Sequence, residues 1–402
     1  MAERFDVAIV GGGILGLATA RALIERAPRT RIVILEKEAK LATHQTGHNS
    51  GVIHSGLYYR PGSYKAKLCV EGARRMEEFC DAHGIKRQTI GKVVVATSEA
   101  ELPRLQALYE RGTANGVPGL RILDRDQVRE IEPHVAALRG IHSPATGIVD
   151  YTEVCAAMAR DLSAHGVEIR TAAGVSAIDR RSDGLVLTTA RGPLEARRLV
   201  NCAGLYSDRI ARMAGANPDV QIIPFRGEYY MIRREREDLV RGLIYPVPDP
   251  EFPFLGVHFT RTVHGEVEAG PNAVLAFARE GYTFGRVRPA ELAGTLGYRG
   301  FWAMAARYWR TGAYEMYRSL SRDAFVRALQ RLVPAITSDD VRPGGAGVRA
   351  QAVSRDGSLV DDFRIVSGPD AVHVLNAPSP AATASIAIGR HIAGLASDTF
   401  GL

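Results

Sequence analysis

Phe5-Asp6-Val7-Ala8-Ile9-Val10-Gly11-Gly12-Gly13-Ile14-Leu15-Gly16 is an apolar strand running straight into G-x-G-x-x-G, with one extra glycine inside it. Apolar residues at helical spacing follow (Leu17, Ala20, Leu23, Ile24), and a second strand, Arg31-Ile32-Val33-Ile34-Leu35, ends at Glu36. Strand, glycines, helix, strand and acid make a βαβ unit of about thirty residues, with the acid about twenty positions past the last glycine. That order predicts a bound dinucleotide. Gly11 allows the tight turn, Gly13 lets the backbone approach a pyrophosphate, and Gly16 lets helix and strand pack closely. The positive end of the helix, from Ile14, faces the phosphates, while Glu36, with Lys37 beside it, accepts hydrogen bonds from a ribose. Glycine turns also serve purely structural ends, so the context carries the reading rather than the glycines alone. Glu36 in place of an arginine argues against a 2′-phosphate, which leaves FAD or NAD.

The 402 residues can bury a large core and suggest two domains, or three. Apolar residues at 46% and charged residues at 24% place the chain among ordinary globular proteins. A net charge of +7 suits anionic substrates or the headgroup side of a membrane, against the plainer reading of an arginine-rich surface. No RNP, zinc-finger or helix-turn-helix pattern accompanies it, so nucleic acid is not an expected partner. Cys69, Cys80, Cys155 and Cys202 are scattered without a C-x-x-C pair, which fits a reducing compartment and predicts no metal centre. The first strand at Phe5 leaves no room for a targeting peptide, and no apolar run approaches the ~20 residues of a bilayer span. The expected location is cytoplasmic, with peripheral contact on the inner face of the cell membrane as the added alternative.

Beyond Glu36 the short βα repeats of an NAD dehydrogenase do not follow. Residues 41–59 read LATHQTGHNSGVIHSGLYY. This stretch is too polar and glycine-dense for a regular element, and predicts an ordered loop threading along a ligand. Thr43, His44, Gln45, Ser50 and Gly51 are its candidate cofactor contacts. Helices are predicted over 65–83, 98–115 and 152–165, a short one near 124–132, and more helix over 287–332. Strands are predicted at 92–97, at 167–171, 174–178 and 185–189, and at 198–202, and antiparallel strands across 221–280. The strand at 198–202 runs into Ala203-Gly204, a small turn that lets backbone sit against a ligand, with Val175 as a neighbouring contact. A last strand at 372–376, the turn Ala377-Pro378-Ser379-Pro380 and a helix over 381–396 close the chain. Cofactor segments at the start, middle and end imply a discontinuous dinucleotide domain, and this scattering favours FAD. The fold class is α/β: a Rossmann-like FAD-binding domain (1–90, 145–215, 340–402) with an inserted substrate domain of mixed and antiparallel sheet plus helices (91–144, 216–339).

The chain resembles the FAD-dependent amine and hydroxy-acid oxidoreductases typified by D-amino-acid oxidase, sarcosine oxidase and glycerol-3-phosphate dehydrogenase, and among them the L-2-hydroxyglutarate oxidase/dehydrogenase family. The carrying motifs are residues 43–56 (THQTGHNSGVIHSG), 255–260 (LGVHFT), 270–277 (GPNAVLAF), 347–351 (GVRAQ) and 376–383 (NAPSPAAT). The likeness implies non-covalent FAD, oxidation of the 2-hydroxy diacid to 2-oxoglutarate by hydride transfer from C2 to flavin N5, and electron delivery to quinone or oxygen. Glycerol 3-phosphate or an amino acid as substrate is the alternative within the same fold, and a non-catalytic flavoprotein the alternative outside it.

Such chemistry needs a carboxylate clamp, a base for the hydroxyl proton, and an α-hydrogen aimed at the ring. The resemblance implies a carboxylate-binding arginine at Arg349, in a glycine-rich stretch, and a planar guanidinium grips a carboxylate bidentately. His258 and His54 compete as base, since a neutral imidazole takes a proton near working pH; either could instead be a satisfied core histidine. The second carboxylate of a five-carbon diacid needs its own partner, and Tyr58, Tyr59, Lys65, Arg226, Tyr230 and Arg261 stay open for it. Pro380, Ala381, Ala382 and Thr383 are expected cofactor contacts at the amino end of the last helix, where the helix dipole stabilises charge on the flavin pyrimidine. The basic, aromatic stretch 298–310 suits a membrane interface, although aromatic residues at helical spacing are more often core.

Overall fold

A computed structural model describes residues 3–249 and 256–402. Leu255, the first residue of the LGVHFT motif, lies outside the described residues.

The Arg4–Val10 strand sits in mid-sheet, which is why its apolar run is buried on both faces. It pairs in parallel with Ile32–Leu35 on one side and Gly192–Asn201 on the other. Glu168–Arg170 extends the sheet beyond Ile32–Leu35, and Ala371–Asn376 runs parallel to the end of Gly192–Asn201. Early, middle and late segments of the chain thus converge on one eight-stranded sheet. The Ile14–Arg26 helix buries Ile14, Leu17, Ala20 and Leu23. The final helix, Ser385–Phe400, crosses it almost backbone to backbone: a Cβ on Gly389 would stand 2.6 Å from the Ala18 carbonyl carbon. This helix starts four residues later than the sequence suggests, since 379–384 form turns.

The second, nine-stranded sheet is mostly antiparallel. Val220–Ile232 lies beside Val267–Gly270, followed by His258–Arg261 and Leu243–Pro246. Leu243–Pro246 runs parallel to Lys92–Ala96, and Arg139–Ser143 and Arg121–Asp124 finish that edge. Alternation gives the sheet two faces. Val93, Val95, Ile244, Phe259, Ala269 and Ile232 pack on one face against Phe325, Val326 and Leu329 of the Arg322–Gln330 helix. Lys92, Tyr245 and His258 therefore project from the other face, toward the first sheet. A small sheet of Val52–Ile53, Gly147–Val149 and Arg87–Thr89 bridges the two halves.

One expected boundary moves. Val341–Ser354 pairs antiparallel along Val220–Ile232, so the sheet of the substrate segment, expected to close at residue 339, takes in residues through 354. Its sequence, VRPGGAGVRAQAVS, reads as loop because of its glycines. Two of them are needed where backbone comes close: a Cβ on Gly347 would meet the His48 carbonyl oxygen at 2.6 Å, and one on Gly344 the Tyr229 carbonyl oxygen at 2.9 Å.

Candidate active site

A cavity of about 880 Å³ runs from the glycine turn to the inner face of the nine-stranded sheet. At its nucleotide end lie Gly11, Gly13, Ile14, Glu36, Lys37, Thr43, His44, Gln45, Val175, Ala203 and Gly204. Gly11 has φ +114°, and a Cβ there would meet the Cys202 carbonyl oxygen at 2.4 Å. Only glycine makes this turn. The Glu36 carboxylate accepts from Gly12 N–H (2.8 Å) and Glu38 N–H (2.9 Å), which aims it at the cavity; each carboxylate oxygen keeps a further lone pair for a ribose hydroxyl. Ile14 N–H at the helix start donates to Thr46 Oγ1 at 3.2 Å.

Over this end folds a strap from the other half of the molecule. Glu280 pairs with Lys37, and Tyr282 lies against His44 and His48, with ring centroids 5.8 and 4.4 Å away. Glu38, His44 and Glu280 have donor atoms close enough for a metal, but the Lys37 ammonium stands among them, bonding Glu38 and Glu280 and lying 2.8 Å from His44 Nε2. The cluster is a compensated ion network.

Several expected contacts are displaced. Gly16 does not line the cavity; a Cβ there would stand 2.0 Å from the Gly11 oxygen, the close approach its position in the turn calls for. Gly51, with φ +64°, likewise faces the Val149 carbonyl. Pro380, Ala381, Ala382 and Thr383 line the cavity, but the Thr383 hydroxyl is spent within the protein. It accepts from His54 N–H (3.1 Å), donates to the Val52 carbonyl (3.1 Å) and meets the Tyr151 hydroxyl (3.1 Å). Tyr230 points away, its ring 4.7 Å from that of Phe325, because a bulge between Glu228 and Tyr230 shifts the alternation and gives the cavity to Tyr229. Lys65 is tied to Asp361 at 2.8 Å, and the Arg261 guanidinium is consumed by the carbonyls of Arg241, Gly265, Glu237 and Val240. Neither lines the cavity, nor do Tyr58 and Tyr59. Arg226 does; its Nε donates to Glu228 at 3.0 Å, and its Nη1 has no hydrogen-bond partner among the described residues.

At the inner end the cavity meets Arg349, His54, His258, Tyr245 and Ser50. Arg349 sits opposite Phe225 in the strand pair; burial pulls its pKa below the ordinary value, countered by Asp361 and Tyr59, yet a guanidinium stays charged at any working pH. His258 stacks on Tyr245 with centroids 3.9 Å apart, and its Nδ1 is 2.9 Å from the Gly256 carbonyl. A carbonyl only accepts, so Nδ1 carries the hydrogen and Nε2 keeps the lone pair. Burial, opposed by the Gly256 bond and aided by Lys92, lowers His258 to about 4. His54 falls to about 3 from burial, Lys92 and His258, and its Nδ1 is buried without a partner among the described residues. Both imidazoles are neutral at pH 7. The Tyr245 hydroxyl bonds Thr260 and Ser50. Sequence reasoning missed Tyr229, Tyr245, Thr46 and Lys92; Lys92 alone carried a signal, a charge heading the apolar run KVVVA.

The family model for FAD-dependent oxidoreductases matches residues 6–395. L-2-hydroxyglutarate dehydrogenase of Indibacter alkaliphilus is 52% identical, over 96% of this chain and 97% of its own. The human mitochondrial L-2-hydroxyglutarate dehydrogenase is 48% identical, over 99% and 90%. The chain belongs to the FAD-dependent oxidoreductase family, among the L-2-hydroxyglutarate dehydrogenases. Among solved structures, L-α-glycerophosphate oxidase of Mycoplasma pneumoniae with FAD bound shares the fold at TM-score 0.80 and 24% identity, covering 98% of this chain and 94% of that one. Glycine oxidase of Geobacillus kaustophilus does so at 0.72 and 21%, covering 99% and 95%. The residues of this family member fit FAD: the Gly11 turn, the anchored Glu36, the Ala203-Gly204 edge and His54 all line one continuous cavity.

Proposed function

We propose that the protein oxidises L-2-hydroxyglutarate to 2-oxoglutarate, with Arg349 binding the carboxylate next to the reacting carbon and His258 taking the hydroxyl proton. The observation that carries this reading is a buried guanidinium and two neutral imidazoles on one cavity wall, opposite the glycine turn. FAD, bound along the cavity, supplies the two-electron acceptor for the hydrogen at C2.

Arg349 offers two parallel N–H bonds, which fix both the position and the plane of the carboxylate. That fixes which face of C2 meets the cofactor and hence favours one enantiomer. His258, held by Gly256 and Tyr245, offers Nε2 in a set direction, and its neutrality at working pH keeps that lone pair free. His54, anchored through its backbone to Thr383, presents a second imidazole with which to orient the hydroxyl. The apolar and aromatic wall excludes water and strengthens each of these contacts.

Electrons leave to a quinone or to oxygen in this reading, which suits a protein working at a membrane surface. The Arg299–Leu320 helix exposes Trp302, Trp309, Tyr314, Tyr317 and Leu320, with Arg307 and Arg310 alongside, and we assign it the membrane contact. No helix among the described residues is long and apolar enough to cross a bilayer. We also propose 1–90, 145–215 and 355–402 as the cofactor part, the rest as the substrate part.

The test is anaerobic reduction. The yellow protein is expected to bleach with L-2-hydroxyglutarate and not with the D isomer, and His258→Ala to slow bleaching while retaining FAD. No bleaching with either isomer sinks the proposal.

A further inference from the structure

Arg226 is 1% exposed, the one fully buried cation among the described residues that line the cavity. Its Nε and Nη2 stand 3.0 and 2.9 Å from Glu228 Oε1, so one edge of the guanidinium faces that acid. Glu228 is itself fixed, because its other oxygen accepts from Asn272 Nδ2 at 2.8 Å and from Ser319 Oγ at 2.6 Å. The Arg226 Cζ lies over the Phe284 ring, 5.1 Å from its centre. The guanidinium is thus held on one edge and one face. Nη1, at its other end, is buried without a hydrogen-bond partner among the described residues. A buried donor left unpaired is costly, and Glu228, engaged with the opposite edge and with Asn272 and Ser319, does not pair it.

Arg349 stands opposite Phe225 and Arg226 opposite Val348, on neighbouring rungs of the strand pair formed by Val220–Ile232 and Val341–Ser354. Neighbouring rungs send their side chains to opposite faces, and the cavity touches both, since all four residues line it. The next rung is the pair Gly227 and Gly347, also in the lining, where no side chain walls one arginine off from the other. Two guanidiniums set apart in this way do not close on a single carboxylate; they suit the two ends of a diacid. Tyr58, Tyr59, Lys65 and Arg261 do not line the cavity, and Tyr230 turns from it toward Phe325. Of the side chains that the sequence leaves open for the second carboxylate, Arg226 alone is in place.

We propose that Arg226 receives the second carboxylate of the diacid whose first carboxylate is held by Arg349. This deepens the substrate reading above and rests on it. The carboxylate accepts from Nη1 while Glu228 and Phe284 hold the rest of the guanidinium, so the donor is oriented before the ligand arrives. A monoacid of the same head group leaves Nη1 as it is, buried and unpaired, and gains nothing at this end of the site. Arg226 thereby makes the enzyme selective for diacids over monoacids.

The experiment uses the FAD-loaded protein and two probes, 2-oxoglutarate and 2-oxobutyrate, with binding read calorimetrically and by the flavin spectrum. Wild type is expected to prefer the diacid. Arg226→Met combined with Glu228→Gln removes both members of the ion pair, so no buried acid is left uncompensated. That protein should bind the diacid ~10- to 100-fold more weakly, the range for a hydrogen bond to a charged group, and the monoacid as wild type does. Arg226→Lys keeps a charge beside Glu228 but loses the fork, and should weaken the diacid alone, by a smaller factor; it decides the matter if the double variant fails to hold FAD. A diacid preference that survives in these proteins overturns the assignment, and so does an equal loss for both probes, which marks a purely structural ion pair. A wild type that binds the diacid no better than the monoacid overturns it too; absence of flavin reduction by L-2-hydroxyglutarate counts instead against the substrate reading.

Discussion

The imidazole of His258 lies flat on the phenol of Tyr245, with centroids 3.9 Å apart and planes inclined by 29°. With the Gly256 carbonyl 2.9 Å from Nδ1, the ring is pinned on an edge and a face while the residue lines the cavity. His258→Asn is therefore expected to lower the rate of flavin reduction by ~10²–10⁴, the range for a lost general base, with FAD still bound. Stopped-flow reduction of His258→Asn and His54→Asn in parallel measures it. A larger loss in His54→Asn than in His258→Asn transfers the role to His54.

Arg349→Lys keeps the charge but loses the bidentate geometry. The expected result is a fall in kcat/KM of ~10- to 100-fold with the chain still folded and yellow. In the proposed arrangement the clamp also sets which face of C2 is presented, so discrimination against the D isomer should weaken. Steady-state kinetics on both isomers decides it; an unchanged kcat/KM removes Arg349 from the substrate.

Stability should depend on pH at both ends of the range. His54 and His258 are lowered to about 3 and about 4, so between those values and 6.5 the unfolded chain binds protons that the folded one refuses. Stability is lost as pH falls through that window, on the order of a few kcal/mol. Lys92, lowered to about 7, releases its proton in the folded state while the unfolded chain holds it up to 10.5, so its penalty eases as pH rises from 7 to 10.5. Urea midpoints of the holoenzyme against pH test this. Lys92→Met should lose the alkaline rise and be at least as stable as wild type at pH 7, since a buried unpaired charge has been removed.

Trp302 and Trp309 are 58% and 62% exposed on one long helix with arginines beside them. Sedimentation with vesicles containing anionic lipid should carry wild type down and leave Trp302→Ser/Trp309→Ser in solution, with salt weakening the wild type. Equal sedimentation of the two proteins discards the membrane assignment without touching the chemistry.

The dinucleotide half was readable because its signals are local. Glycines with fixed offsets, buried strands such as VAIV and IVIL, and Glu36 need no knowledge of distant partners. The inner wall was readable only in part, because it depends on strand register. Which of Tyr229 and Tyr230 faces inward follows from a bulge that leaves no mark in the residues around Glu228. Val341–Ser354 carries no strand signal of its own because its glycines mark turns, while the pairing that makes it a strand comes from Val220–Ile232 more than a hundred positions earlier. Lys92 stood in plain view, but a lysine at the start of a strand ordinarily faces water. Only the assembled sheet makes it a buried charge.

The strap of Glu280 and Tyr282 joins the antiparallel half of the molecule to Lys37, His44 and His48 above the nucleotide groove. A coenzyme lying in that groove is therefore expected to leave more slowly than its own contacts dictate, because Glu280 and Tyr282 must first come away from Lys37, His44 and His48. Holding the coenzyme and keeping the substrate wall aligned would then be one cooperative event, and loss of flavin is expected to loosen the wall that carries His54 and His258.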